Sequence, residues 1–216
     1  MSDFLVTLIG AVIGDGASSV HFAAANLAGA AGTELLDRLL KTRREAARTI
    51  MLRALKEGSV TLCESDLEES VAVLYRYLRA AEEGAARRNL RLLAGVFAGQ
   101  VSGQSIAADE FLYYADILSP LRREEVLLLG TLHRIWIEQC AASPDVSKRR
   151  TGTLGALKAE LIPSVFEDDS DFVSVLASLT RTGLVSPFSG FGGEYYQPSP
   201  LLQRLARMVD FEAAVG

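Results

Sequence analysis

Histidine is nearly missing from this chain: His21 and His133 are the two in 216 residues. That scarcity excludes most zinc sites and Ser-His-Asp arrangements. Cysteine is as rare. Cys63 and Cys140 lie far apart and form no metal motif, so they read as two buried thiols of a reducing cytoplasm. GxGxxG and Walker patterns are absent, and the glycines of Ile9–Gly16 lack the lysine a phosphate loop needs. Aromatic residues make up 7% of the chain. Their place is taken by alanine and leucine, which favour helices over sheets. Positive charge is not in surplus: the net charge of −5 gives no global attraction to nucleic acid. Long hydrophobic runs are missing too. The most apolar stretch, Phe4–Gly14, is about 11 residues where a spanning helix needs roughly 20. Asp3 stands where a secretory signal would carry positive charge, so no leader is expected.

What is present is a folded composition, 49% hydrophobic and 23% charged. The pattern predicts a mainly α protein. An N-terminal helical region precedes a winged helix-turn-helix-like domain with a short β-hairpin. Three segments follow: an apolar, small-residue-rich helical segment at 1–33, a helical bundle at 34–118 and the winged-helix-like domain at 119–216.

The first segment holds one carboxylate, Asp15, across Phe4–Thr33. It reads as packed small-residue helices in a core or subunit interface, with Gly10 and Gly14 allowing close approach. Membrane contact is the competing reading, weakened by the lack of Trp and Tyr at its ends. Phe4, Leu5, Leu8, Ile9, Val12 and Ile13 are the candidate contacts for either partner.

Glu34–Glu57 follows a helical i, i+3/i+4 rhythm from Leu35 to Leu55, with Thr33 as its cap and Gly58 as its stop. Its other face carries Arg38, Lys41, Arg43, Arg44, Arg48 and Arg53 against Glu45 alone. Those six cations are candidates for an anionic partner such as lipid, with a solvated helix face as the plain alternative. A helix from Ser65 or Asp66 to Glu83 is expected to bury Leu67, Val71, Leu74, Tyr75 and Leu78, with Gly84 breaking it. Ala85–Ser102 follows on Leu90, Leu93, Val96, Phe97 and Val101. Ala107–Leu118 then carries Phe111, Leu112, Ala115 and Leu118 on one side. Arg76, Arg79, Arg87, Arg88 and Arg91 could form an anion site, but Glu82 and Glu83 make ion pairs an equal explanation.

From Ser119-Pro120, which has the chemistry of a cap and first turn, a buried helix runs through Val126–Ile137 around Trp136. His133 within it reads as a core or boundary residue. A polar loop, Ala141–Gly152, then precedes helices at Thr153–Val165 and from Asp168–Ser170 to Thr182. Strands at Leu184–Phe188 and Glu194–Gln197 flank a glycine-rich tip, and Ser199-Pro200 starts a last helix. The second helix of such a turn would meet the major groove. Yet from Asp168 to Pro200 there are four acidic residues and one basic, Arg181. Lys148, Arg149, Arg150 and Lys158 could touch a nucleic-acid backbone without specifying sequence, so sequence-specific binding is not expected. The Glu167-Asp168-Asp169-Asp171 cluster could take a divalent cation, but it is more simply a favourably charged helix start.

Three stretches carry a family resemblance: RRNLRLLAGVFAGQVSG at Arg87–Gly103, EFLYYADILSPLRREEVLLL at Glu110–Leu129, and LASLTRTGLV at Leu176–Val185 with Tyr195-Tyr196-Gln197-Pro198 after it. In general pattern they resemble the Abi-alpha-type abortive-infection proteins of bacteria. The resemblance covers roughly the C-terminal 130 residues, implies a setting in phage defence and carries over no catalytic residue. The expectation is a non-enzymatic bacterial interaction or regulatory protein with no cofactor. It would be cytoplasmic or membrane-associated, and homo-oligomeric through its apolar N-terminus. A membrane-acting effector and a DNA-binding regulator are the alternatives.

Overall fold

The computed structural model describes residues 30–58, 67–103, 107–190 and 193–216. The chain is mainly helical, with one two-stranded antiparallel hairpin among the described residues. It divides into two compact units, Met1–Pro120 and Leu121–Gly216.

In the first unit, α1 spans Ala30–Glu57, α2 Leu67–Glu83, α3 Arg87–Ser102 and α4 Ala108–Leu118. Thr33 lies inside α1 instead of capping it, because the alanines before it are strong helix formers. Gly58 donates to the Ala54 carbonyl and closes the helix. The Ser65 and Asp66 caps expected for α2 lie outside the described residues, as do His21 and Cys63. Gly84 adopts φ +101°, a left-handed conformation that suits glycine at a helix end. The chain thereby reverses into α3, whose expected core residues are all buried.

Two faces differ from expectation. On α2 the buried row is Ser70, Val73, Leu74, Tyr77, Leu78, Ala80 and Ala81, while Leu67, Val71 and Tyr75 are exposed. On α4, Tyr114 is buried and Leu112 exposed. The Tyr77 hydroxyl explains its side of α2: it donates to the Ala47 carbonyl at 2.9 Å and so ties α2 to α1. Complete burial pushes the Tyr77 phenol pKa far up.

In the second unit, α5 spans Arg123–Ala142, α6 Val146–Leu161 and α7 Asp169–Thr180. Strands β1 (Val185–Gly190) and β2 (Gly193–Pro198) follow, then α8 (Pro200–Leu205). Ser119 does not open α5. Its N–H and hydroxyl both donate to Ala115, closing α4. Instead, Glu125 reaches back to accept from the Arg122 N–H at 2.8 Å. Val126, Leu128, Leu129, Leu132, Ile135 and Trp136 are buried along α5, whereas Ile137 is exposed.

The polar loop expected at Ala141–Gly152 is mostly helix. Asp145 caps α6 by accepting from the Ser147 and Lys148 N–H groups. That helix ends at Leu161, short of Val165, because Pro163 cannot continue the hydrogen-bond ladder. Asp168 caps α7, which buries Phe172, Val175, Leu176 and Leu179. Gly183 turns the chain with φ +73° into β1. The register pairs Val185 with Pro198 and Gly190 with Gly193. Ser199 caps α8 by accepting from Leu202 N–H at 3.2 Å. The C-terminal segment then crosses α5 at Gly130. A β-carbon there would stand 2.7 Å from Glu212 Cγ and 3.1 Å from Phe211 Cβ, so the crossing requires glycine.

Candidate functional site

Four groups of candidate residues come from the sequence, and the structure treats them differently. Phe4, Leu5, Leu8, Ile9, Val12 and Ile13 lie outside the described residues. Among the described residues, no helix is long and apolar enough to cross a membrane.

The basic face of α1 is not one patch. Arg43 donates to the Glu82 carbonyl at 2.7 Å, at the C-terminal end of α2, where the helix dipole favours a cation. Its guanidinium lies over Gly84, 3.4 Å from where a β-carbon would sit. Arg44 pairs with the Glu82 carboxylate at 2.6 Å. These two arginines therefore dock α1 on α2, a role that the reading of a free cationic face missed. Arg38 pairs with Glu34 at 3.5 Å and Arg53 with Glu57 at 2.8 Å along the helix. The Glu57 partner raises the Arg53 pKa. Arg48 buries its Nε without a hydrogen-bond partner. Lys41 is exposed.

The two α2 arginines are likewise drawn into local pairs. Arg76 meets Asp116 of α4 at 2.7 Å and Arg79 meets Glu83 at 2.8 Å. Glu83 raises the Arg79 pKa.

Three of the four candidate cations of the second unit are engaged by the fold. Arg149 lies 5.7 Å from the Trp136 ring centroid and donates to the half-buried Cys140 sulfur at 3.2 Å. Cys140 is therefore not the fully buried thiol expected of it. Arg150 stacks 3.7 Å from the Phe188 centroid and donates to Gln197 Oε1 at 3.0 Å, so it clamps α6 to both strands. Lys158 pairs with Asp169 at 2.5 Å. Only Lys148 of this set is exposed. The acidic cluster is spent on the helix start: Asp168 accepts from Asp171 N–H, and Asp171 from Glu167 N–H.

A cleft of about 570 Å³ opens between α5 and the C-terminal segment, lined by His133, Arg134, Ile137, Glu138, Asp210 and Glu212 among others. Burial lowers the His133 pKa from its ordinary value. Arg134 is shared by Glu138, Glu160 and Glu212. Burial alone would depress its pKa, but the Glu212, Glu160 and Glu138 carboxylates raise it. That network fastens the C-terminal segment to α5 and α6. Within β2, burial, with a 2.7 Å hydrogen bond to Glu194, pushes the Tyr196 pKa up to about 12.

The feature that sequence reasoning missed is apolar. Leu35, Leu36 and Leu39 are 63%, 49% and 43% exposed at the start of α1, where the helical rhythm predicts a buried stripe. From Glu34 onward, the first buried α1 residue is Ala47. No protein-family model, curated protein or solved structure matches the chain.

Proposed function

We propose that this is a non-enzymatic interaction protein of the bacterial cytoplasm that self-associates through its N-terminal unit. The second unit is proposed to be a winged-helix-like module used for protein contact, not for reading DNA. One observation carries the reading. Eight of the large exposed apolar side chains belong to the first unit: Leu35, Leu36, Leu39, Leu67, Val71, Tyr75, Leu112 and Tyr113. Among its described residues the second unit has three, Ile137, Val146 and Val173. Large apolar side chains left in water in such number support an interaction face, and the leucines follow directly on the uncharged sequence of 16–33.

The inward-turned Arg149, Arg150 and Lys158 weigh against a phosphate-binding surface on the second unit. The engagement of Arg43 and Arg44 with Glu82 weighs against an anionic-lipid face on α1. Sedimentation of the full chain over a range of concentrations tests the reading. The sedimentation coefficient should rise with concentration, and deletion of residues 1–33 should weaken that rise. A chain that stays monomeric, or that floats with anionic vesicles as a monomer, would overturn it. The resemblance to abortive-infection proteins makes phage defence the setting to test, by plating efficiency on cells with and without the gene.

A further inference from the structure

Helices α2 and α4 lie side by side and run in the same direction. The Glu69 carboxylate accepts from the Ala108 N–H at 2.5 Å near their N-terminal ends, and about two turns further on Arg76 donates to Asp116 at 2.7 Å. Between these two ties the surface is apolar, and around it the exposed charge is acidic. From this combination we infer that the groove between α2 and α4 is a docking surface for a basic amphipathic helix of another protein. The inference goes beyond the self-association reading and does not depend on it.

The spacing of residues builds the groove. Ala108, Leu112 and Asp116 recur every fourth residue, so they share the flank of α4 that meets α2. Glu69, Ala72 and Arg76 form the facing row on α2. Leu112 therefore stands level with Ala72, whose single methyl group is too short to cover it. Leu112 is 40% exposed as a result, and Ala72 is itself exposed. Tyr113, next in the chain and 53% exposed, adds an aromatic lip. A shallow apolar groove with an aromatic edge suits the apolar stripe of a helix, read at every third or fourth residue.

Charge decides which helix fits. Asp109 and Asp116 are both exposed and bracket Leu112 and Tyr113, a heptad and so about 10 Å apart along the axis. Glu68 and Glu69 add two exposed carboxylates at the N-terminal end. The cation on the facing row, Arg76, is already held by Asp116: its side chain is 17% exposed, while that of Asp116 stays 72% exposed. The helix dipole accounts for Glu68, Glu69 and Asp109, which lie in first turns. It does not account for Asp116, in the last turn of α4, where a carboxylate is disfavoured. A partner helix with cations a heptad apart and apolar side chains between them would meet carboxylates at both ends and Leu112 and Tyr113 in the middle. A nucleic acid or an anionic lipid surface would meet repulsion there.

Fluorescence anisotropy with the full chain tests the groove. The probe is a labelled helical peptide of about four turns, with leucines on one face and lysines a heptad apart beside them. Its counterpart carries glutamates in place of the lysines. The lysine peptide should bind, more weakly as salt rises, and the glutamate peptide should not. Leu112→Ser with Tyr113→Ser should weaken binding about tenfold or more, and Asp109→Lys should weaken it severalfold. All three positions are exposed, so far-UV circular dichroism should be unchanged. Glu167→Lys makes the same charge change on the second unit and should bind as wild type does. The proposal falls if the lysine peptide does not bind, if both peptides bind alike, or if the double serine variant binds as wild type does. Equal weakening by Glu167→Lys and Asp109→Lys would reduce the effect to net charge and also overturn it. Loss of self-association in the double serine variant would assign the groove to a second copy of the chain, and the proposal would fall.

Discussion

Both units lock arginines into local pairs or stacks, but they differ in the large apolar side chains they leave exposed. In the second, three arginines are engaged by the fold: Arg149 stacks on Trp136, Arg150 on Phe188, and Arg134 holds three carboxylates. The C-terminal segment closes over Gly130, and the exposed apolar remainder is small. In the first, a helical core is complete around Met51, Leu74, Tyr77 and Phe97, yet leucines and tyrosines stay outside it. That difference in exposed apolar side chains is what the proposed self-association of the first unit rests on.

That contrast can be strained from the closed side. The largest expected effect is Phe172→Ala. Its ring is fully buried and packs edge-on with Phe166 at 5.5 Å, and truncation should cost about 3–5 kcal/mol in chemical denaturation. Association should be unaffected while the variant remains folded. Gly130→Ala comes next. The new methyl group meets Glu212 and Phe211, and the strain should cost about 1–3 kcal/mol. It should also raise amide exchange along residues 206–212. Arg150→Ala should cost about 1–2 kcal/mol through loss of the Phe188 stacking and the Gln197 hydrogen bond.

A smaller effect concerns pH. Because burial lowers the His133 pKa, the unfolded chain binds this proton more readily. The site therefore contributes nothing above the unfolded value of about 6.5 and destabilises as pH falls below it. His133→Gln should remove part of the fall in Tm on the acid side of pH 6.5 and leave Tm near pH 8 almost unchanged. The smallest effect belongs to the open unit: Arg53→Ala breaks a solvated pair with Glu57 and should not move Tm measurably.

Much of the second unit was legible because its signals are local. Asp168 as cap, the Phe172-Val175-Leu176-Leu179 row, Gly183, the glycine-rich tip and Ser199-Pro200 each act within a few residues. The start of α5 was misread because Ser119-Pro120 has the chemistry of an N-terminus. What fixes the start is Glu125 reaching back to an N–H that any residue could supply. The α6 helix was read as loop over Lys148-Arg149-Arg150, whose side chains look solvated until Trp136 and Phe188 are brought to them by the fold.

In the first unit the period was legible but the phase was not. On α2, two rows share the same spacing. The expected set, Leu67, Val71, Leu74, Tyr75 and Leu78, straddles them: Leu74 and Leu78 are buried, while Leu67, Val71 and Tyr75 are exposed. The buried row includes Ser70, Ala80 and Ala81, small residues that let neighbouring helices approach and carry little weight in a hydrophobic pattern. The open leucines of α1 were invisible for the same reason: periodicity marks a stripe but does not say whether this chain or another covers it.

The most direct test of the account is sedimentation of full-length Leu36→Lys with Leu39→Lys beside wild type across the same concentrations. Both leucines are exposed, so the helical spectrum should be retained. The account predicts concentration-dependent association for wild type and weaker association for the variant; equal association of the two would contradict it.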